Sequence, residues 1–106
     1  MAFGQCKDME IEFVNKTDLT LIVPQEGHRV RNPGTIEGWN DLTTGGTISH
    51  LKPGESRSVR QTLSILCSDD AEFEIHYSAT SGRDFTQIFR DVNIENKRAI
   101  LRLTHD

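Results

Sequence analysis

The chain lacks long hydrophobic runs and has no excess of basic residues. No apolar run approaches the ~20 residues that a helix needs to span a bilayer, so we expect no transmembrane segment. The 12 Lys and Arg residues are outnumbered by 16 Asp and Glu residues, which gives a formal net charge of −4. A general nucleic-acid binder carries a surplus of cations that displaces counterions from phosphates, so we expect no nucleic-acid partner.

The amino-terminal sequence, MAFGQCKDMEIEF, has neither the basic start nor the apolar stretch of a secretory signal peptide. The sequence therefore predicts a cytoplasmic protein or one released by a non-classical route, and it does not decide between them.

Motifs for catalysis are also missing from the sequence. It contains no Gly-x-Ser-x-Gly elbow, no phosphate-binding glycine loop and no His-Glu-x-x-His run. A thiol–imidazole pair could come only from Cys67 and His76, and Cys67 lies in an apolar run typical of a packed thiol. The neighbouring carboxylates Asp69 and Asp70 are typical of a solvated acidic turn. We therefore expect no enzyme and no cofactor, and a small enzyme assembled from these residues is the third hypothesis for function.

Cysteine and histidine are too sparse for an obvious metal site. The four histidines are scattered without the close pairing that convergent imidazole ligands require, so we expect no bound metal. The two cysteines, Cys6 and Cys67, cannot form a metal site alone. Two reduced thiols are the favoured interpretation for a chain without a signal peptide, and a disulfide between them is the alternative.

The pattern that is present is an alternation of apolar and polar residues with period 2, which predicts β-strands. It is clearest in DMEIEFV and in EFEIHYSAT, where Phe73, Ile75 and Tyr77 alternate with polar residues. Short turn sequences separate the strands and predict hairpins, the first between DMEIEFV and LTLIV. Residues 1–106 are thus expected to form a single all-β domain, an antiparallel β-sandwich of seven or eight short strands, with a small β-barrel as the alternative.

One predicted strand, FTQIFRDVNI, breaks the alternation. Phe85 and Phe89 fall on one face, whereas Ile88, Val92 and Ile94 fall on the other. A β-bulge shifts the side-chain phase by one residue, and we place it near Ile88 and Phe89. Two further turns, at SGRD before this strand and at ENK after it, are predicted to close hairpins.

The segment 27–46 has no sustained periodicity and is predicted to be a long loop, with a short strand at TIEGW as an option. Loops of this length are usually functional or disordered. This one contains the single Trp of the chain, and an aromatic ring beside arginines suits a sugar, a lipid headgroup or a protein surface. The candidate ligand-binding residues of the segment are Arg29, Arg31, Trp39, Asn40 and Asp41.

The order of IEFVNKT, ISHLKPGES and EFEIHY resembles that of small β-sandwich cytolysins, the actinoporin-like and aegerolysin families. The resemblance implies recognition of membrane lipids through aromatic residues, which would add Tyr77 to Trp39 as a contributor. The chain lacks the amphipathic amino-terminal helix of the pore-forming members, so the resemblance does not imply pore formation.

These observations predict a non-enzymatic binding module, lectin-like or lipid-binding, that uses the 27–46 loop to hold a glycan or a lipid headgroup. The alternative is a protein–protein interaction module, such as an inhibitor, an effector or an assembly subunit. Sheet edges pair readily with other strands, which leaves homo-oligomers open as well.

Overall fold

A computed structural model of the chain describes residues 5–34 and 38–105. Those residues form nine strands and no helix. In chain order the strands are β1 (Cys6–Asn15), β2 (Leu21–Val23), β3 (His28–Arg31), β4 (Asn40–Leu42), β5 (Ile48–Leu51), β6 (Ser56–Leu63), β7 (Ala71–Ala79), β8 (Asp84–Val92) and β9 (Arg98–Leu103).

The strands form two sheets, which confirms the predicted all-β fold. The smaller sheet has the order β6-β1-β9, and its β1–β9 pair is parallel. In the larger sheet β7 is the central strand. One edge of β7 pairs with β8, and its other edge pairs first with β3 and then with β2, which carry β4 and β5 on their outer sides.

The core contains the apolar positions that the alternation assigned to the interior. Met9, Ile11 and Phe13 of β1 are completely buried, as are Phe73 and Ile75 of β7. Because β1 and β7 are interior strands of their sheets, their apolar faces form the middle of a single hydrophobic cluster.

Three β-bulges shift the side-chain phase, and each has a non-glycine residue with positive φ. Between Cys6 and Met9, β1 has one residue more than its partner β6, and Asp8 there has φ 54°. The same irregularity occurs in β5 at His50, with φ 56°, and in β8 at Asp91, with φ 56°. Each bulge adds one residue and so changes which side chains of its strand face inward.

The predicted bulge in β8 exists, but not at the predicted position. It lies at Arg90–Asp91, because Phe73 is opposite Phe89 and Ala71 is opposite Val92. Ile88 therefore points to the outer face, where its side chain is 41% exposed. The predicted position of the bulge, near Ile88 and Phe89, is therefore wrong.

Only one of the three predicted hairpins is present. Gly82, with φ 106°, closes the β7–β8 hairpin through Gly82 N–H to Ala79 O and Ala79 N–H to Arg83 O. The predicted β1–β2 hairpin is wrong, and so is the hairpin at ENK, because in both cases the two strands belong to different sheets. Those turns reverse the chain between the layers instead.

Cys6 and Cys67 form a disulfide across 61 positions, so the favoured interpretation of two reduced thiols is wrong. The bond ties the start of β1 to the segment between β6 and β7. Asn32, at the end of β3, holds the same segment by donating to the carbonyl oxygens of Leu66 and Asp70. This segment is thus fastened to both layers.

Candidate functional site

The outer face of β3 and β7 carries a row of charged residues under the only tryptophan. In both strands the residues between the buried ones point away from the core. Arg29 is opposite Glu74, and Arg31 is opposite Glu72. We call this area the tryptophan–arginine surface, and its residues are Arg29, Arg31, Trp39, Glu72, Glu74, His76 and Arg90.

Trp39 lies over the two arginines of β3. The guanidinium carbon of Arg31 is 4.4 Å from the centroid of the indole ring, and that of Arg29 is 5.0 Å from it. Both distances lie within the range of a cation–π interaction. Trp39 is half-buried, so the ring is held by these contacts while part of it remains accessible to solvent.

Every arginine of the surface is paired with a glutamate. Arg29 Nη2 lies 2.6 Å from Glu74 Oε1, and Arg31 Nε lies 2.7 Å from Glu72 Oε1. Arg90 of β8 donates to the other oxygen of Glu72 at 2.8 Å. The surface is therefore a connected network in which charges of opposite sign alternate across three strands.

The network fixes the charge of the two glutamates. Burial alone would raise the pKa of Glu72, but the hydrogen bonds and charges of Arg31 and Arg90 outweigh it and lower that pKa. Hydrogen bonds from Arg29 and His76 lower the pKa of Glu74, although burial opposes them. Both carboxylates are therefore ionised at neutral pH, and the arginines have firm partners.

The described residues of the segment 27–46 include two strands, so the predicted long loop is wrong for that part of the chain. These strands, β3 and β4, pair antiparallel, so Arg29 and Arg31 are strand residues. The optional strand at TIEGW overlaps residues 35–37, which lie outside the described part of the chain. Asn40 donates to the carbonyl oxygen of Ser64 at 3.2 Å, and Asp41 is exposed opposite Arg29. These two predicted residues flank the tryptophan–arginine surface.

Tyr77 does not lie on this surface. It is only 3% exposed and points into the core, on the opposite side of β7 from Glu74 and His76. Its hydroxyl contacts Gln87 Oε1 at 2.9 Å and the carbonyl oxygen of Thr104. Tyr77 therefore closes one end of the core, away from the tryptophan–arginine surface, and the ligand-binding role predicted for it stays a prediction.

His28 is a key residue that the sequence did not single out. Its side chain fills the gap between β2 and β3 along the edge of β7. Nδ1 accepts a hydrogen bond from the backbone N–H of His76 at 3.1 Å, and Nε2 donates to the carbonyl oxygen of Pro24 at 2.6 Å. Burial lowers the pKa of His28, the Pro24 carbonyl raises it, and the charge of nearby His76 lowers it further, so the net shift is downward. The neutral ring thus accepts the backbone N–H of β7 at a point where neither β2 nor β3 pairs with that strand.

The described residues do not bring together the catalytic pair that the sequence left as a hypothesis. The disulfide leaves Cys67 without a thiol, which removes the Cys67–His76 candidate. In the described ranges no three His, Cys, Asp or Glu side chains are placed to hold a metal ion. No helix in those ranges is long and apolar enough to cross a membrane.

Comparisons of the chain with protein-family models, with curated proteins and with solved structures give no match. The resemblance to small β-sandwich cytolysins therefore stays a prediction from the sequence.

Proposed function

We propose that the chain is a non-enzymatic recognition module that binds a partner protein through the tryptophan–arginine surface. The observation that carries the proposal is the position of Trp39, half-buried over two arginines that are themselves anchored to glutamates. Tryptophan and arginine are the residues most enriched among those that dominate protein–protein binding energies. Holding them in place before binding lowers the entropy lost on association.

The pairing of charges favours a protein over an anionic headgroup. A phosphate or carboxylate ligand needs arginine donors that are free to bind it, whereas Arg29 and Arg31 already donate to Glu74 and Glu72. A surface of alternating charge suits a partner of complementary alternating charge, which sets register and orientation. The lectin-like and lipid-binding hypotheses predict different outcomes in the same experiment.

The test compares wild-type protein with Trp39→Ala and with a control variant, Ile100→Ser. Ile100 is 38% exposed and belongs to β9 of the smaller sheet. The control therefore removes an exposed apolar side chain from the other sheet. Each protein is immobilised to capture proteins from an extract, applied to a glycan array, and mixed with phosphatidylserine vesicles. The vesicle experiment is read by co-sedimentation of the protein with the vesicles, because Trp39 is the only indole in the chain and Trp39→Ala has no tryptophan emission to follow.

We expect wild type and Ile100→Ser to capture the same protein and Trp39→Ala to lose at least tenfold in affinity for it, a typical cost for a central anchor residue. Binding to a glycan or to the vesicles that depends on Trp39 would overturn the choice of a protein partner in favour of that ligand. Equal capture by all three proteins, with no glycan or vesicle binding, would overturn the role of the surface.

A further inference from the structure

The outer edge of β8 is the longest open edge of the larger sheet. β8 pairs only with β7 among the described residues, and it extends for nine residues, from Asp84 to Val92. The other outer strands of this sheet, β4 and β5, have three and four residues. An open strand edge presents unpaired N–H and C=O groups that another strand can bind.

The register of the β7–β8 pair shows which backbone groups are open. Ala79 N–H bonds to Arg83 O, so Arg83 and every second residue after it direct their backbone groups toward β7. The alternate residues direct their N–H and C=O groups away from the sheet. These residues are Asp84, Thr86, Ile88 and Arg90, and the bulge at Asp91 ends the regular edge after them.

The edges of the smaller sheet are less open. Gln87 donates its side-chain amide to the carbonyl oxygen of Arg102 and accepts the N–H of Thr104, so it occupies part of the edge of β9. β6, the other outer strand of the smaller sheet, has eight residues, one fewer than β8. Among the described strands at a sheet edge, β8 is therefore the longest.

We propose that two copies of this chain pair antiparallel through β8, with Gln87 at the two-fold axis. In this register Asp84 of each copy is opposite Arg90 of the other, and Thr86 is opposite Ile88. All four residues are exposed on the same outer face. Because of the two-fold symmetry each pairing occurs twice, so two of the four cross-strand pairs join opposite charges. The backbone groups that bond across the interface are the ones that β7 leaves free, so no existing hydrogen bond is broken.

The charges along the free edge of β8 favour a second copy of this chain as the strand that binds there. A strand with one acidic and one basic residue at opposite ends of its free edge is complementary to itself only in the antiparallel direction. Arg90 contacts Glu72 at 2.8 Å through Nη1, and its side chain is 62% exposed, so its other N–H groups can meet Asp84 of the second copy. A single strand pair buries little area, so we expect a dimer that dissociates on dilution.

The dimer would place both tryptophan–arginine surfaces on the same side of one continuous sheet. The two-fold axis of an antiparallel strand pair is perpendicular to the sheet, so each copy keeps its outer face on that side. A partner with two binding sites could then engage both surfaces at once, with an affinity above that of either alone. This consequence rests on the proposed function, whereas the dimer itself does not.

The test measures molar mass by sedimentation equilibrium for wild type, Asp84→Arg, Arg90→Asp and an equal mixture of the two variants. We expect wild type to approach twice the 12.0 kDa chain mass as concentration rises. Each variant alone would stay at the chain mass, because like charges are opposed, and the mixture would regain the dimer mass through complementary pairs.

A second variant tests the backbone contacts without a change of charge. Ile88→Pro removes an N–H that points away from β7, so we expect it to fold, with its circular dichroism retained, and to lose the dimer. The control is Ile100→Ser, which should dimerise as wild type does. A wild-type protein that remains at the chain mass at every concentration would overturn the proposal, as would a dimer that persists in both charge variants or is abolished by Trp39→Ala alone.

Discussion

Single residues with left-handed backbone conformations determine which side chains of three strands face the core. Asp8, His50 and Asp91 have φ values of 54°, 56° and 56°. An L-residue in this conformation is less stable than glycine by roughly 1–2 kcal/mol, with Asp tolerating it best. His50 lacks the short carboxylate with which Asp can bond to the nearby backbone, and its side chain is exposed.

We predict that His50→Gly raises the free energy of unfolding by roughly 0.5–1 kcal/mol, because the relief of strain exceeds the added entropy of the unfolded chain. The control is Ser49→Gly, one residue earlier in the same strand, where φ is not positive and the substitution should lower stability by roughly 0.5–1 kcal/mol. Urea denaturation of both variants measures the difference. Equal destabilisation by the two substitutions would contradict the bulge.

The sequence reveals part of this residue-scale information. The phase break in FTQIFRDVNI signals a bulge in β8, but the apolar side chain of Ile88 pointed to the wrong position. Nothing in ISHL signals the bulge in β5, because Ile48 and Leu51 are compatible with either a strand or a turn. The sequence does not reveal the role of His28, because that role depends on the gap between β2 and β3, and both strands pair with β7, which is distant in sequence.

At the scale of elements, the positions of the strands were easier to predict than the pairing between them. The alternation in β1 and β7 gives the buried faces directly, because period 2 is a local property. Turn residues show that the chain reverses but not whether the next strand joins the same sheet. For this reason the β7–β8 hairpin was predicted correctly and the β1–β2 hairpin was not. β3 and β4 were missed because strands this short show almost no period.

The disulfide is an element-scale constraint, since it links the start of β1 to the segment before β7. Closing a loop of 61 positions is expected to contribute about 4 kcal/mol by limiting the unfolded chain. We predict that the double variant Cys6→Ala, Cys67→Ala loses about that amount of stability in urea denaturation. Wild type denatured in the presence of a reductant should match the double variant.

The control for that experiment is the double variant itself, whose stability should not respond to reductant. The disulfide would be contradicted if native wild-type protein contained two free thiols. It would also be contradicted if reductant changed the free energy of unfolding of both proteins equally. A bond of this kind is typical of proteins in an oxidising environment, which bears on the open question of localisation.

At the scale of the whole molecule, stability should fall with decreasing pH in two stages. Burial lowers the pKa of His28 below its ordinary value of 6.5, and the ring of His76 faces it, with ring centroids 6.5 Å apart. Hydrogen bonds from arginines lower the pKa values of Glu12 and Glu74 below 4.5. In both cases the unfolded chain binds more protons than the folded one once the pH drops below the ordinary value.

We therefore predict a constant free energy of unfolding between about pH 7 and about pH 9, a decrease as the pH falls below 6.5, and a further decrease below 4.5. Urea denaturation over a pH series measures the profile. His28→Gln retains an acceptor and a donor but does not titrate, so it should lose the first decrease and keep the second. A wild-type profile without any change around pH 6.5 would contradict the role of the neutral ring.

The parallel pairing of β1 with β9 has a consequence for how the chain acquires its structure. Glu10 is aligned with Arg98, so the middle strand of the smaller sheet is completed only by the last of the nine strands to be synthesised. Until then one side of β1 has no neighbour, and its apolar face is incompletely covered. We expect this sheet to form slowly, because the contact joins segments so far apart in sequence.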